Sequence, residues 1–179
     1  LPPLVALYDR MASLQDRTVG TGILAPDLAS RFGAGGFVGR ASGRGFDARR
    51  DVGYAPYDAL SFDVPVRTEG DVNARAWIRV LEIEQSLGLL RQLMDGLPAG
   101  PIRADIPDGG GEGMALVEAF RGDALVWLRV RDGVIERCHL RDASWFQWPL
   151  LEVVIEGNIV ADFPLCNKSF NCSYAGHDL

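Results

Sequence analysis

Apolar residues recur at three- and four-residue steps at Leu4, Leu7, Met11 and Leu14, which predicts an amphipathic helix already under way where the chain starts. Pro26 and Asp27 open a second short helix, since proline is tolerated in a first helical turn, and Gly33 supplies a stop. The stretch GAGGFVGRASGRG from Gly33 to Gly45 has neither a helical nor a strand period and reads as an irregular loop. The strongest periodicity runs from about residue 71 to 97, where Val80, Ile83, Leu87, Leu90, Met94 and Leu97 make one stripe. A stripe of this kind packs on other helices, as core or as subunit interface, and Gly96, Pro98 and Gly100 end it.

Residues 105–113 are rich in Pro, Asp and Gly, and after them the pattern changes. Short apolar runs at 114–120, 124–130 and 134–140 are separated by Arg121-Gly-Asp123 and Arg131-Asp-Gly133, a hairpin pattern that puts Cys138 in a core strand. The Gly109-Gly-Gly-Glu-Gly113 run lacks the Lys-Ser/Thr of a phosphate-binding loop and reads as a flexible turn. Ser144 can cap a last helix through about Glu156, disturbed by Pro149. The fold class is α+β and mainly helical. One domain covers residues 1–179, with helices over 1–104, a small antiparallel sheet over 105–142, and a helix with a C-terminal tail over 143–179.

The chain has 179 residues, 47% of them hydrophobic, enough for one domain with a real core. A formal net charge of -6 disfavours a phosphate backbone, so no nucleic acid partner is expected. The longest apolar runs, near 150–155 and 124–130, are too short to cross a bilayer, so any membrane association goes through partners. The abrupt start at Leu1-Pro-Pro-Leu4 reads as the C-terminal part of a longer protein. Three cysteines argue against a disulfide framework and for a reducing compartment.

Chemistry concentrates in the tail, where Cys166, Cys172 and His177 lie close together in sequence. These three are metal-ligand candidates, although Cys-x5-Cys-x4-His is not a usual zinc spacing; otherwise the cysteines are small buried residues and His177 a hydrogen-bonding one. Arg40, Arg49 and Arg50 form a basic cluster beside Asp47 and Asp51. It reads either as a polar channel toward a cofactor or partner, with Arg40 and Arg49 as binding residues, or as a loop cross-braced by salt bridges. His139 and His177 are the only histidines, and no nucleophile–base arrangement is visible.

An ordered set of motifs carries a resemblance over nearly the whole chain. Arg17-Thr-Val-Gly20 precedes Gly39-Arg-Ala-Ser-Gly43 and Asp47-x-Arg49. Tyr54-x-x-Tyr57, Phe62-Asp-Val-Pro65 and Glu69-Gly-Asp71 follow, then Arg75-x-x-x-Arg79-x-x-Glu82-x-x-Gln85-Ser86, then Val117-Glu-Ala-Phe-Arg-Gly122. Together they resemble the large subunit of nickel–iron hydrogenases and the 49-kDa subunit of NADH–quinone oxidoreductase. The nearest branch is that of the energy-converting, formate hydrogenlyase-type hydrogenases and their nickel-free relatives.

The resemblance implies a multihelical hydrogenase-large-subunit-like fold with small β-hairpins, on the cytoplasmic side of the cytoplasmic membrane. It implies partners: an iron–sulfur small subunit carrying its own cluster, membrane subunits, and electron transfer to or from a quinone-like or protein partner. Arg121 matches the arginine that lies near the metals of hydrogenases and is the catalytic candidate with Glu118; without a metal it would pair with Glu118 or Asp123. In hydrogenases a Cys-x-x-Cys near this end holds nickel, whereas Ser173 and Gly176 fall at those places here. No cofactor is therefore expected within this part of the chain, and a nickel–iron centre is doubted. A working nickel–iron hydrogenase using Cys166 and Cys172, or a non-catalytic subunit of such a complex, are the alternatives.

Overall fold

Asp71 sets the longest helix. Its Oδ1 accepts the Ala74 N–H at 2.7 Å, a side-chain N-cap that opens α5, Val72–Asp95. Gly96 follows as the C-cap and Pro98 prevents continuation. Before it lie α1 (Pro2–Arg10), α2 (Ala12–Thr18), α3 (Pro26–Arg31) and α4 (Gly36–Ala41), then a π-helical turn (Arg49–Gly53) and a 3-10 turn (Tyr57–Ala59). After it come β1 (Gly111–Ala119), β2 (Gly122–Arg131), β3 (Val134–Arg141), α6 (Ser144–Val154), a 3-10 turn (Val160–Asp162) and α7 (Phe163–Phe170). The computed structural model describes residues 1–103 and 109–178. The sequence boundary at 104/105 and the start of the Pro/Asp/Gly stretch lie outside the described residues.

The three strands form one antiparallel sheet in the order β1-β2-β3. The β2–β3 connection is the two-residue turn Asp132–Gly133, both at positive φ (51° and 74°), which matches the right-handed twist of the strands it joins. Register slips between Arg129 and Val130, so that Glu136 has no partner on β2.

The core gathers Leu24, Phe37, Val38, Ile78, Leu150 and Phe170, all fully buried. α4, the first half of α5, α6 and α7 surround it. Arg75 ties it together from inside: Nε donates to Ser169 Oγ at 2.9 Å, Nη1 to the Gly70 carbonyl at 2.6 Å and Nη2 to the Gly22 carbonyl at 2.8 Å. Its guanidinium also sits 4.7 Å from the Phe170 ring centroid. Burial without a paired carboxylate lowers the Arg75 pKa to about 10.

The structure bears out an α+β, mainly helical fold and corrects several local expectations. The glycine-rich stretch is not all loop: Gly36–Ala41 is helical and wholly buried. Tertiary burial overrides the low helix propensity, because glycines at 36 and 39 let α4 approach the Arg121 and Ala34 carbonyls, where a Cβ would collide. The first helix is broken at Met11, which is extended. Gly111–Gly113 already belongs to β1 rather than to a turn. α6 continues past Pro149 but stops at Val154, and the tail contains a helix, α7, that no apolar period announced. Ile83, Leu87, Leu90 and Met94 do not pack in this chain; Met94 is 76% exposed. Cys138 is exposed as well, on the edge strand β3, where every residue from Val134 to Leu140 is exposed.

Candidate functional site

α4 and α5 cross so that Arg40, from the end of α4, reaches a Glu82 that is one turn past the buried Ile78 of α5. Arg40 Nε donates to Glu82 Oε1 at 2.6 Å. Its Nη1 donates to the Phe46 carbonyl and to Glu118 Oε1, each at 2.9 Å, with Asp47 Oδ2 at 3.5 Å. Glu118 arrives from the end of β1; its other oxygen accepts the Ala48 N–H at 2.9 Å, and its own N–H donates to Tyr54 Oη at 3.1 Å. Arg49 closes the network on Asp47, with Nη2 at 2.6 Å and Nε at 2.9 Å.

This cluster holds three carboxylates, Asp47, Glu82 and Glu118, against two guanidiniums, Arg40 and Arg49. The side chains of Arg40, Asp47 and Glu118 are 2%, 1% and 4% exposed, so the groups act on one another with little screening. Burial pushes the Glu82 and Glu118 carboxyls above the usual carboxylate range even though Arg40 pulls them down. Burial acts the same way on Asp47, but there the two bonds from Arg49 outweigh it and the carboxyl stays low. Arg40 is desolvated too, yet its three carboxylates hold its pKa above normal. The arrangement keeps the guanidiniums charged and makes Glu82 and Glu118 easier to protonate than free carboxylates.

Glu82 and Glu118 form one wall of an open cleft of about 480 Å³, with Arg79, Ile83, Ser86 and Phe120 around it. Arg79 lies 4.1 Å from the Phe37 ring centroid and donates from Nη2 to the Ser169 carbonyl at 2.6 Å. Burial lowers its pKa, and the charge of Arg121 lowers it further.

Of the residues the sequence singles out, the structure brings Arg40, Arg49 and Glu118 together. The Arg40–Arg49–Arg50 stretch is cross-braced by ion pairs, Arg50 with Asp51 at 2.9 Å. Arg121 pairs with neither Glu118 nor Asp123, which is a correction: Glu118 is taken by Arg40 and Asp123 by Arg141. Arg121 instead donates from Nε to the Asn171 carbonyl at 2.5 Å, tying the β1–β2 turn to the tail. Cys166 is fully buried beside Gly22 and Arg75. Cys172 points its thiol at Gln147 Oε1, 3.9 Å away, and His177 lies edge-on to Trp148 with ring centroids 6.5 Å apart. Burial pushes the Cys172 thiol up to about 12 and raises that of Cys166. Among the described residues no three His, Cys, Asp or Glu side chains are placed to hold a metal ion.

Arg79, Glu82 and Phe120 stand in the sequence only as motif positions, not as site residues. A signal exists: Arg75, Arg79 and Glu82 follow one another at steps of four and three, a charged ridge on a helix otherwise read for its apolar stripe.

Comparison with known proteins gives this geometry a family. Residues 3–109 match the family model of the 49-kDa subunit of respiratory-chain NADH dehydrogenase. The carbon monoxide-induced hydrogenase of Rhodospirillum rubrum is 34% identical over 171 residues, covering 94% of this chain and 47% of the relative. An NADH-quinone oxidoreductase subunit of Syntrophobacter fumaroxidans is 38% identical over 153 residues, with 82% and 41% covered. Formate hydrogenlyase subunit 5 of Escherichia coli is 33% identical over 171 residues, with 93% and 30% covered. This chain thus spans less than half the length of these curated relatives. A solved chain from the membrane-bound sulfane sulfur reductase, an archaeal respiratory membrane complex, superposes with a TM-score of 0.89 at 29% identity, over 99% of this chain and 52% of its own. On these matches the chain belongs to the family of the 49-kDa subunit of respiratory-chain NADH dehydrogenase, with hydrogenase large subunits among its relatives.

Proposed function

We propose that this chain is the C-terminal part of a hydrogenase-like large subunit in a membrane-associated redox complex, and that its cleft forms one wall of the redox pocket. The observation that carries the reading is the Arg40-centred network, which puts two carboxyls whose pKa burial raises, Glu82 and Glu118, at the edge of a space large enough for a small molecule. Electron transfer to a quinone-like or protein acceptor needs protons delivered where charge appears. Glu82, with a side chain 18% exposed, is the group of the cluster that reaches the open side.

The pocket works without nickel. Nickel in this family requires converging thiolates. Cys166 is sealed beneath Gly22, and Cys172 is a thiol held protonated and turned to Gln147. This donor set does not fit a dinuclear centre, and no step is assigned to one. An iron–sulfur small subunit exchanges electrons with the pocket, and membrane subunits hold the assembly on the cytoplasmic face. Among the described residues no helix is long and apolar enough to cross a membrane, which supports attachment through those partners.

The test is purification of the intact complex from its native host. We expect iron from the small subunit, no nickel, dye-linked electron transfer, and loss of that transfer in Glu82→Ala. Stoichiometric nickel with hydrogen uptake overturns the nickel-free reading, and unchanged turnover in Glu82→Ala overturns the assignment of the pocket.

A further inference from the structure

We infer that Asp142 bars any side chain from residue 176, and with it any metal ligand there, so that the tail closes as a hydrogen-bonded strap. Gly176 lies directly against Asp142: a Cβ at residue 176 would stand 2.7 Å from the Asp142 Cγ, 2.9 Å from its Cβ and 3.0 Å from its Oδ2. The first two distances are shorter than real Cβ atoms tolerate. The backbone at 176 is outside the left-handed region, so its φ does not call for glycine; the neighbour does. Asp142 is also pinned. Its Oδ1 accepts the Ser144 N–H at 2.8 Å and its carbonyl accepts the Trp145 N–H at 3.2 Å, which satisfies two donors at the start of α6.

The tail is tied to the same turn of α6 by a run of bonds. Ser173 N–H donates to Ser144 Oγ at 2.9 Å, Gly176 N–H donates to Ser173 Oγ at 2.9 Å, and Trp145 Nε1 donates to the Gly176 carbonyl at 2.8 Å. Ser144, where the run is anchored, is fully buried. Both backbone groups of Gly176 thus find partners inside the chain. The two positions that match the nickel ligands of hydrogenases are bonded to each other instead. The strap also lays Tyr174 on Trp148, with ring centroids 4.9 Å apart.

A thiol at residue 176 would need Asp142 to leave the start of α6, and the thiolate that a soft metal takes would face a carboxylate. Cysteines at 173 and 176 are therefore not enough to open the tail to a metal; residue 142 has to give way as well. The inference rests on the nickel-free reading of the tail and adds the residue that enforces it.

The experiment is a double-mutant cycle on the full chain, read by thermal melting. Gly176→Ala should lower the melting temperature by about 4 °C or more, as overpacking does. Gly88→Ala, where a Cβ meets open space, should not lower it. In the Asp142→Gly background, which removes the colliding atoms, Gly176→Ala should bring no further loss. If Gly176→Ala does not fold, recovery of a folded chain in Asp142→Gly/Gly176→Ala supports the inference, and failure to recover overturns it. An unshifted Gly176→Ala melt, or the same loss in both backgrounds, overturns it too. A second arm titrates cobalt(II) chloride into folded Ser173→Cys/Gly176→Cys. No thiolate–cobalt absorption band beyond that of the parent chain is expected until Asp142→Gly is added. A band with Asp142 in place, or none after its removal, overturns the closure to metal. Stoichiometric nickel in the native complex, with the melting cycle as expected, would remove the nickel-free reading alone.

Discussion

Arg40 Nε and Glu82 Oε1 meet at 2.6 Å across the α4–α5 crossing, and that bond fixes a glycine-rich helix onto the longest helix of the chain. Arg40 is the single cation that touches all three carboxylates of the cluster, of which Asp47 and Glu118 have buried side chains.

Removing it leaves those carboxylates without their shared partner. Arg40→Met should cost about 3–5 kcal/mol, the usual penalty for stranding buried charge. Urea denaturation followed by circular dichroism reads it as a lower midpoint with an unchanged slope. A loss below about 1 kcal/mol would mean that the network is far better solvated than its burial shows.

Glu82 and Glu118 carry a pH signature. Each holds its proton to higher pH in the folded chain than in the unfolded chain, whose reference value is 4.5. The folded state therefore binds more protons above that value, and stability falls as pH rises through the window up to the raised folded values. Glu82→Gln should flatten the fall in melting temperature above pH 4.5, and adding Glu118→Gln should flatten it further. Asp47 acts oppositely: its carboxyl is held below the reference of 3.8, so its contribution is complete above that value and disappears as pH drops through the folded one.

Asp71 has two duties, capping α5 through Ala74 and accepting the Gly20 N–H at 2.8 Å. Asp71→Ala should lower stability by about 1–2 kcal/mol. Asp71→Asn or Asp71→Ser, which restores a cap, should recover part of it in the same thermal melts.

The three thiols differ in access. Cys138 is exposed, Cys166 is fully buried, and Cys172 is half-buried with its pKa raised to about 12. Iodoacetamide at pH 8 should label Cys138 alone in the folded chain and all three cysteines in denaturant, as counted by intact mass. Rapid native labelling of Cys172 would undo the argument that its thiol is held protonated.

Much of the fold is legible in residue order. The helix start near residue 71, the Gly96 and Pro98 stop and the Asp132–Gly133 turn are local signals with local causes, and each element forms where they lie. The missed features all depend on distant neighbours. Nothing within Gly36–Ala41 favours a helix; burial against α5 does. The stripe at Ile83, Leu87, Leu90 and Met94 has the period of a buried face but lies open here, since period reports that a face is apolar and not what covers it. The site is half visible: Arg40, Arg49 and Glu118 stand out as charges in motifs, while Arg79 and Phe120 gain their meaning only when α5 and the β1–β2 turn are brought together.

The seating of Gly36 against the Arg121 carbonyl has a genetic consequence. A side chain at residue 36 would push the turn that carries Arg121 away from the tail, so alleles at these two sites, 85 positions apart, should share a phenotype. Suppressors of a lesion at Gly36 should then be found in the β1–β2 turn rather than in its own helix.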